Sequence, residues 1–331
     1  MKKRHSNISI FVPHIGCPNM CSFCNQRHIT GVNYAPRTSD VVEYVKTAVK
    51  SQNFDPLNTE IAFFGGSFTA INRNYMTQLL KVANIFIKNG VVSGIRISTR
   101  PDAIDREVLD VLKTYGVTSI ELGAQSLNNK VLRSNNRGHS AKDVVEASKL
   151  IKEYGFSLGL QMMTGLYNDC DEYALDTARK IIDLKPDTVR IYPTIVLKDT
   201  DLAALYYDNR YKPQSLGSAV NLCSKLLMMF NEANINVIRI GLHSIEEDSY
   251  IAGPWHPAFS ELCQSKIMFD KVNEQLTDNG EYNLFVNSSF VSKMIGQSKE
   301  NILKLKELGY NCKVLVDNKL DDYEIRIERR S

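Results

Sequence analysis

Short apolar runs alternate with amphipathic stretches along most of the chain. Residues 8–14, 60–64 and 95–100 read as strands, each followed by a segment whose apolar positions recur at helical spacing. Thr38 or Ser39 can cap a helix running to about Lys50, and a second helix fits 72–88. Pro101 suits the first turn of a third helix carrying Ile104, Val108, Leu109 and Leu112. In a fourth strand, 119–126, Ile120, Leu122 and Ala124 alternate with Glu121, Gly123 and Gln125. The alternation continues with helices to about Tyr154, strand 157–163, helix 169–184, strand 188–194, a long connection, helix 216–233 and a further strand at 235–242. Strands that alternate with helices imply βαβ units and a parallel sheet. Six or so units over this length suit an α/β fold of the partial (β/α)6 TIM-like barrel type. The remainder reads as helix 258–275, strand 282–286, helix 299–308 and short strands 313–316 and 323–327, a small α/β C-terminal extension. The expected division is a core at 1–245 and an extension at 246–331.

Barrels of this kind keep their chemistry at the C-terminal ends of the strands, and the unusual residues fall there. Cys17, Cys21 and Cys24 follow the first strand in a C-x3-C-x2-C spacing, with Phe23 between the last two and His14 and His28 on either side. Gly65, Gly66 and Ser67 end the second strand, and Ser98 and Arg100 the third. Glu121 and Gln125 lie on the fourth, Gln161 on the fifth and Tyr192 on the sixth, all expected to face one mouth. Three cysteines in a compact loop suit an iron–sulfur cluster with one iron left open. Cysteine plus histidine at such spacings equally suits zinc, and the spacing alone leaves both open. A zinc knuckle has no need of the ring of strand-end residues, whereas a cofactor cradle does.

Composition changes this picture little. An apolar share of 43% and a charged share of 23% are ordinary for a globular chain, and a net charge of +3 is too small to argue for nucleic acid by itself. No apolar run is long enough to span a bilayer and the start has no signal-peptide pattern, so no membrane role and a cytoplasmic location are expected. Only three of the seven cysteines cluster, as in a reducing compartment.

Taken together, the cysteine loop and the strand-end motifs resemble the radical S-adenosylmethionine (SAM) superfamily. Ser98-Thr99-Arg100-Pro101-Asp102, Ile120 to Ser126 and Arg137-Gly138-His139-Ser140 are similar to the branch that contains the Elongator catalytic subunit and the oxygen-independent coproporphyrinogen III dehydrogenases. Arg190-Ile191-Tyr192-Pro193-Thr194, Leu205 to Pro213 and Ile238 to Leu242 resemble Elongator in particular. The resemblance implies that Cys17, Cys21 and Cys24 hold a 4Fe–4S cluster whose open iron SAM chelates. It implies that Gly65, Gly66 and Ser67 receive the methionine amino group. Ser98 and Arg100 would reach the SAM ribose or carboxylate, with Gln125 and Gln161 nearby and Tyr192 bordering the adenine. It further implies cleavage of SAM to a 5′-deoxyadenosyl radical, a reductant such as flavodoxin or ferredoxin, and tRNA or another RNA as substrate. A small-molecule reaction of the coproporphyrinogen type is the alternative, and a non-catalytic metal scaffold the third. The likeness ends near residue 245, and the stretch after it is too short for the acetyltransferase domain of the Elongator subunit.

Four other features carry weaker signals. Tyr206, Tyr207, Arg210, Tyr211 and Lys212 interleave aromatic and basic groups, as base-stacking surfaces do, or form an ordinary solvated helix end. Gly253 to Phe259, with Trp255 and His256, reads as a rigid turn in preference to a pocket wall. His139 fits a structural role or a place near the site. Met294 to Ile302 faintly resembles the GXXG loop of KH RNA-binding domains, with Lys299 in place of the second glycine, or is a plain loop before an amphipathic helix.

Overall fold

A computed structural model describes residues 5–12, 17, 20–25, 34–242 and 247–330. Its main sheet is parallel, with seven strands in the order β1 (Ser6–Val12), β2 (Thr59–Gly65), β3 (Gly94–Thr99), β4 (Val117–Gln125), β5 (Ser157–Thr164), β6 (Thr188–Pro193) and, after an intervening hairpin strand, β8 (Asn236–Ile240). Helices α1 (Thr38–Val49), α2 (Arg73–Lys88), α3 (Arg106–Thr114), α4 (Asn129–Ser134), α5 (Ala141–Glu153), α6 (Asp171–Leu184), α7 (Asp201–Tyr207) and α8 (Leu216–Glu232) fill the crossovers. Six crossovers joining seven strands make the partial barrel that the pattern predicts.

The alternation within strands explains the layering. Ile61, Phe63, Ile95, Ile97, Ile120, Leu122, Leu158, Leu160, Val189 and Ile191 are buried against helix residues such as Leu79, Leu80, Leu109, Ile151, Ile181 and Leu226. The in-between positions give the opposite face Glu60, Arg96, Ser119, Glu121, Gln161 and Arg190. Burying this much apolar surface is the main drive to fold. Two helix starts differ from expectation. Arg37, not Thr38 or Ser39, is the cap residue of α1, because Asp40 accepts its backbone N–H at 2.7 Å. Pro101 opens a separate single turn, Pro101–Ala103, and α3 begins at Arg106 because Asp105 accepts from Val108 N–H at 2.7 Å.

Between β6 and β8 the chain forms β7 (Val196–Leu197), which pairs antiparallel with β9 (Tyr250–Ala252). Gly253 to Phe259 is the rigid turn expected: Gly253 has φ +114, a Cβ there would lie 3.0 Å from Ile195 Cα, and His256 Nδ1 accepts from Ala258 N–H at 3.1 Å. The extension follows as α9 (Phe259–Gln275), β10 (Gly280–Val286), α10 (Val291–Ile295), α11 (Glu300–Glu307), β11 (Tyr310–Val316) and β12 (Arg326–Arg329). Its sheet order is β11-β10-β12, with β11 parallel and β12 antiparallel to β10. Helix α9 serves two cores. Phe259, Cys263 and Ile267 belong to that of the barrel, Met268 and Val272 to that of the small sheet with Leu284, Met294 and Leu305.

Candidate functional site at the barrel mouth

Three cysteines come at the end of β1. Of the loop, Cys17 and 20–25 are described, while His14, His28 and Gly31 lie outside the described residues. Cys21 to Cys24 form a tight turn closed by Cys24 N–H donating to the Cys21 carbonyl at 3.0 Å. The turn is pinned by Asn135, the residue that ends α4. Ser22 donates its N–H to the Asn135 carbonyl (3.2 Å) and its hydroxyl to Asn135 Oδ1 (2.8 Å). Asn135 is fully buried and donates from Nδ2 to the Val131 and Tyr167 carbonyls. On the other side, Leu202 N–H at the start of α7 donates to the Ser22 carbonyl at 2.7 Å. Phe23 packs on Val131, Met163, Leu166 and Tyr192 and on Val196 and Leu202.

The donors around the thiols are aimed at sulfur. Arg137 Nη1 donates to Cys21 Sγ at 3.1 Å, and Nη2 donates to the Gly123 carbonyl at 2.6 Å. The backbone N–H of Ser67 faces the Cys17 sulfur. Burial raises the Cys17 thiol, with Cys21 adding to it, against Arg100, the Ser67 N–H and Arg137. Cys24 is pushed up to about 12 by burial and then by Cys21 and Cys17, with Arg137 opposing. Cysteines gathered in one pocket with cationic and N–H donors aimed at sulfur are a donor set suited to a metal centre. Among the described residues no three Cys, His, Asp or Glu side chains converge on a single-ion spacing. The set of three thiols, two guanidinium groups and an N–H fits an iron–sulfur cluster, which offers each thiolate its own iron.

The glycines after β2 are required by close approach. Gly66 N–H donates to the Val12 carbonyl at 2.7 Å. Gly65 has φ +110, and a Cβ there would lie 3.0 Å from that carbonyl oxygen, so a side chain would part β1 from β2. Ser67 is fully buried, its hydroxyl bonded to Thr99 Oγ1 at 2.9 Å and accepting from Arg100 N–H at 3.2 Å. Only its main chain looks toward the cysteines. Arg100 is held by Asp102 through two hydrogen bonds of 2.9 and 2.7 Å, with Cys17 and Cys21 within electrostatic reach. Ser98 is half-buried on the face shared with Arg96, opposite Glu121 in the register.

The register slips at three places in the sheet: Thr118 of β4 is extra opposite the Ile95–Arg96 step, Ala124 is extra before Gln125, and Ile238 of β8 is extra opposite the Val189–Arg190 step. Bulges of this kind recur beside functional sites. Gln125, at φ +62, is buried and accepts at Oε1 from Gln161 Nε2 at 3.1 Å. Arg190 donates to Glu121 at 2.9 Å and to the Tyr192 hydroxyl at 3.3 Å, and lies 5.4 Å from the centre of the Phe64 ring. Tyr192 is therefore a buried wall residue packed on Phe23 and Val131, its phenol raised by that burial. At the N-terminal end of the same face, Glu60 accepts from Arg96 (3.0 Å), Thr118 (2.5 Å) and Ser119 (3.2 Å) and meets His5 (2.9 Å). Burial would raise Glu60, but the bonds from His5 and Thr118 and the Arg96 charge outweigh it and hold the carboxyl at about 2.

Arg137 and Asn135 went unassigned by sequence reasoning. The signal for Arg137 was its place beside His139 in the Arg-Gly-His-Ser stretch; Asn135 carries none, being one polar residue at a short helix end. His139 is buried, donates from Nε2 to the Ala124 carbonyl (3.1 Å) and leaves Nδ1 to accept from Arg137 (3.4 Å). Burial and the Arg137 charge lower it to about 4, so it is neutral and orients Arg137. Of the aromatic and basic group at the end of α7, Tyr211 is buried and donates to the Gly165 carbonyl at 2.6 Å, whereas Tyr207, Arg210 and Lys212 are exposed. Tyr206, Tyr207, Asn209, Tyr211 and Lys212 line a cavity of about 470 Å³.

An open parallel half-barrel with a thiol cluster at the C-terminal end of its first strand defines the class: a barrel built to hold a cofactor at its mouth. Comparison makes it specific. The model of the Radical SAM superfamily matches residues 11–181, and that of the Radical_SAM C-terminal domain matches 186–268. The chain belongs to the radical SAM superfamily and is an enzyme of Elongator-like type. It is 25% identical over 253 residues to a tRNA uridine(34) acetyltransferase of Dehalococcoides mccartyi, covering 66% of this chain and 55% of that protein. It is 36% identical over 139 residues to human Elongator complex protein 3, covering 41% and 25% respectively. The fold is that of the archaeal Methanocaldococcus infernus Elp3, with a TM-score of 0.67, 19% identity and coverage of 84% of this chain and 66% of that one. The chain thus spans about half of the first relative's length and a quarter of the second's. Family membership implies SAM and a 4Fe–4S cluster. No helix among the described residues is long and apolar enough to cross a membrane.

Proposed function

We propose that this chain binds a 4Fe–4S cluster through Cys17, Cys21 and Cys24 and cleaves SAM reductively, acting on tRNA or another RNA in the cytoplasm. The observation that carries the cofactor reading is the thiol set at the end of β1, with Arg137 on Cys21 and the Ser67 N–H on Cys17. When bound, the cluster and SAM would supply one-electron chemistry, reductive cleavage of a SAM sulfur–carbon bond with the electron coming from a flavodoxin- or ferredoxin-type reductant. The protein binds, orients and excludes water. Gly65 and Gly66 let the main chain approach the methionine end, and the Ser67 backbone adds to that edge. Arg100 and Ser98 face the carboxylate and ribose, and the Gln125–Gln161 pair gives polar contacts beside them. Tyr192 backs the pocket as a wall. Arg137 orients Cys21 through its hydrogen bond to the sulfur, with His139 holding the guanidinium in place. The core is assigned to 1–245, with α9 tying the extension to it.

The RNA part rests on the tRNA-modifying relative and on the exposed Tyr207, Arg210 and Lys212 at the end of α7, the helix that docks the cysteine turn. Such groups stack bases and hold phosphates. Acetyl transfer is not carried over from a relative of which the chain covers 55%. The test is anaerobic reconstitution with iron and sulfide, then dithionite and SAM. Wild type is expected to show the charge-transfer band and form 5′-deoxyadenosine, and each of Cys17→Ala, Cys21→Ala and Cys24→Ala to lose both. An unchanged band in the variants defeats the ligand assignment. Absence of salt-sensitive tRNA binding defeats the RNA part alone.

A further inference from the structure

Residues 280–316 of the extension take no part in the chemistry above. β10 leads into α10, the turn Gly296-Gln297-Ser298-Lys299 leads into α11, and α11 leads into β11, which returns parallel beside β10. The likeness of this stretch to a KH domain rested on the turn alone. The fold adds a helix on each side of the turn and a strand at each end; in KH domains a loop of this kind clamps four nucleotides by their backbone.

The turn has a fixed base and a free apex. Gly296 has φ +79, and a Cβ there would lie 3.0 Å from the Asn301 backbone nitrogen. Asn301 is buried and donates from Nδ2 to the Ser265 (2.9 Å), Lys293 (3.1 Å) and Met294 (3.2 Å) carbonyls, tying the base to α9 and α10. Gln297, Ser298 and Lys299 are exposed. The extension as a whole is acidic, with 11 Lys and Arg against 15 Asp and Glu over 246–331, and positive charge gathers locally: five lysines and two glutamates lie between 288 and 316. Lys304 pairs with Glu300, while Lys299, Lys306 and Lys313 make no ion pair among the described residues. Apolar surface lies beside two of these lysines: Leu303 on α11, four positions from Lys299 and three from Lys306, is 54% exposed. Cations next to exposed apolar side chains suit an unpaired strand, whose backbone is anionic and whose bases have apolar faces. A duplex offers the charge and hides the bases.

We propose that the α10–turn–α11 surface, with the edge of β11, is a second site that binds single-stranded RNA through its phosphate backbone. The site rests on the extension alone and does not need the barrel to act on RNA. Binding is measured on the full reconstituted chain by anisotropy of a fluorescein-labelled RNA of about eight nucleotides, twice the clamp length, single-stranded or annealed to its complement. Wild type should bind the single strand with salt-sensitive affinity and prefer it to the duplex. The double variant Gln297→Asp with Ser298→Asp, whose new side chains tolerate a left-handed backbone, should weaken binding at least about tenfold. Lys299→Glu should weaken it about threefold and lower the salt slope by about 0.7. Melting temperature and 5′-deoxyadenosine formation should stay as in wild type. Equal binding by wild type and the double variant, equal affinity for duplex, or no binding at about 50 mM salt overturns the proposal. Loss of SAM cleavage in wild type with the RNA result intact would remove the barrel reading and leave this one standing.

Discussion

At the N-terminal end of the concave sheet face, Glu60 is surrounded by Arg96, Thr118, Ser119 and His5. At the C-terminal end of the same face, Arg137 meets a thiol, a carbonyl and a neutral histidine. Both ends are polar and buried, and both hold an arginine. The floor answers both Glu60 oxygens with donors from β3, β4 and His5, and pairs the carboxylate with Arg96, whose Nη1 alone stays buried without a partner among the described residues. At the mouth Arg137 donates to the Cys21 sulfur, while burial and neighbouring thiols raise Cys17 and Cys24. Buried polarity is structural where a carboxylate is fully answered by donors, and a candidate for function where donors converge on reactive side chains.

Breaking the floor should cost stability and leave the chemistry. Glu60→Gln strands the Arg96 guanidinium in the interior and is expected to destabilise the chain by about 3–5 kcal/mol, read as a lower urea midpoint. Iron content of the variant, reconstituted in the cold, should match wild type; a variant that unfolds at the wild-type midpoint would show the floor to be idle. Acid probes the same contrast. Because Glu60 is held at about 2 against an ordinary 4.5, its contribution is present in full above pH 4.5. It is lost as pH falls toward 2, up to about 3 kcal/mol, and Glu60→Gln should lack that limb. His139, lowered to about 4 from 6.5, acts one step earlier. The unfolded chain takes up its proton first, so stability present above pH 6.5 declines as pH drops to 4, and His139→Gln should flatten that interval in urea titrations.

Breaking the mouth should do the reverse. Arg137→Met is expected to lower iron retention and 5′-deoxyadenosine formation by about 10–100-fold, the usual loss when a group supporting a metal ligand is removed. Its unfolding midpoint should move far less than that of Glu60→Gln. Equal effects on both readouts would mean that Arg137 is only another structural cation. The smallest expected change lies outside both ends. Lys299→Gly relieves a left-handed φ of +64 and should stabilise the chain by about 1 kcal/mol, as a small rise in melting temperature.

Most of the fold was legible because period-two and period-3.6 patterns record which face is buried, and the Ile120, Leu122 and Ala124 alternation appears in the sheet as written. Helix starts were less so: Arg37 and Asp105 act as caps through geometry that neighbouring serine, threonine or proline residues disguise. At the site, the cysteine spacing and the glycines were visible, since both are local chemical necessities. Whether Ser67 offers its hydroxyl or its backbone was not, because Thr99 and Arg100, contributed by another strand, take the hydroxyl.

The sequence by itself determined the parallel half-barrel, the thiol loop at its mouth and the small extension, since each follows from residue type and spacing along neighbouring stretches of chain. Tertiary structure alone decided that Asn135 anchors the loop, that Arg137 reaches Cys21 across 116 positions, and that a bulge at Ala124 precedes the left-handed Gln125. Contacts between residues distant in sequence depend on register and crossover geometry, and neither leaves a periodic trace in the chain.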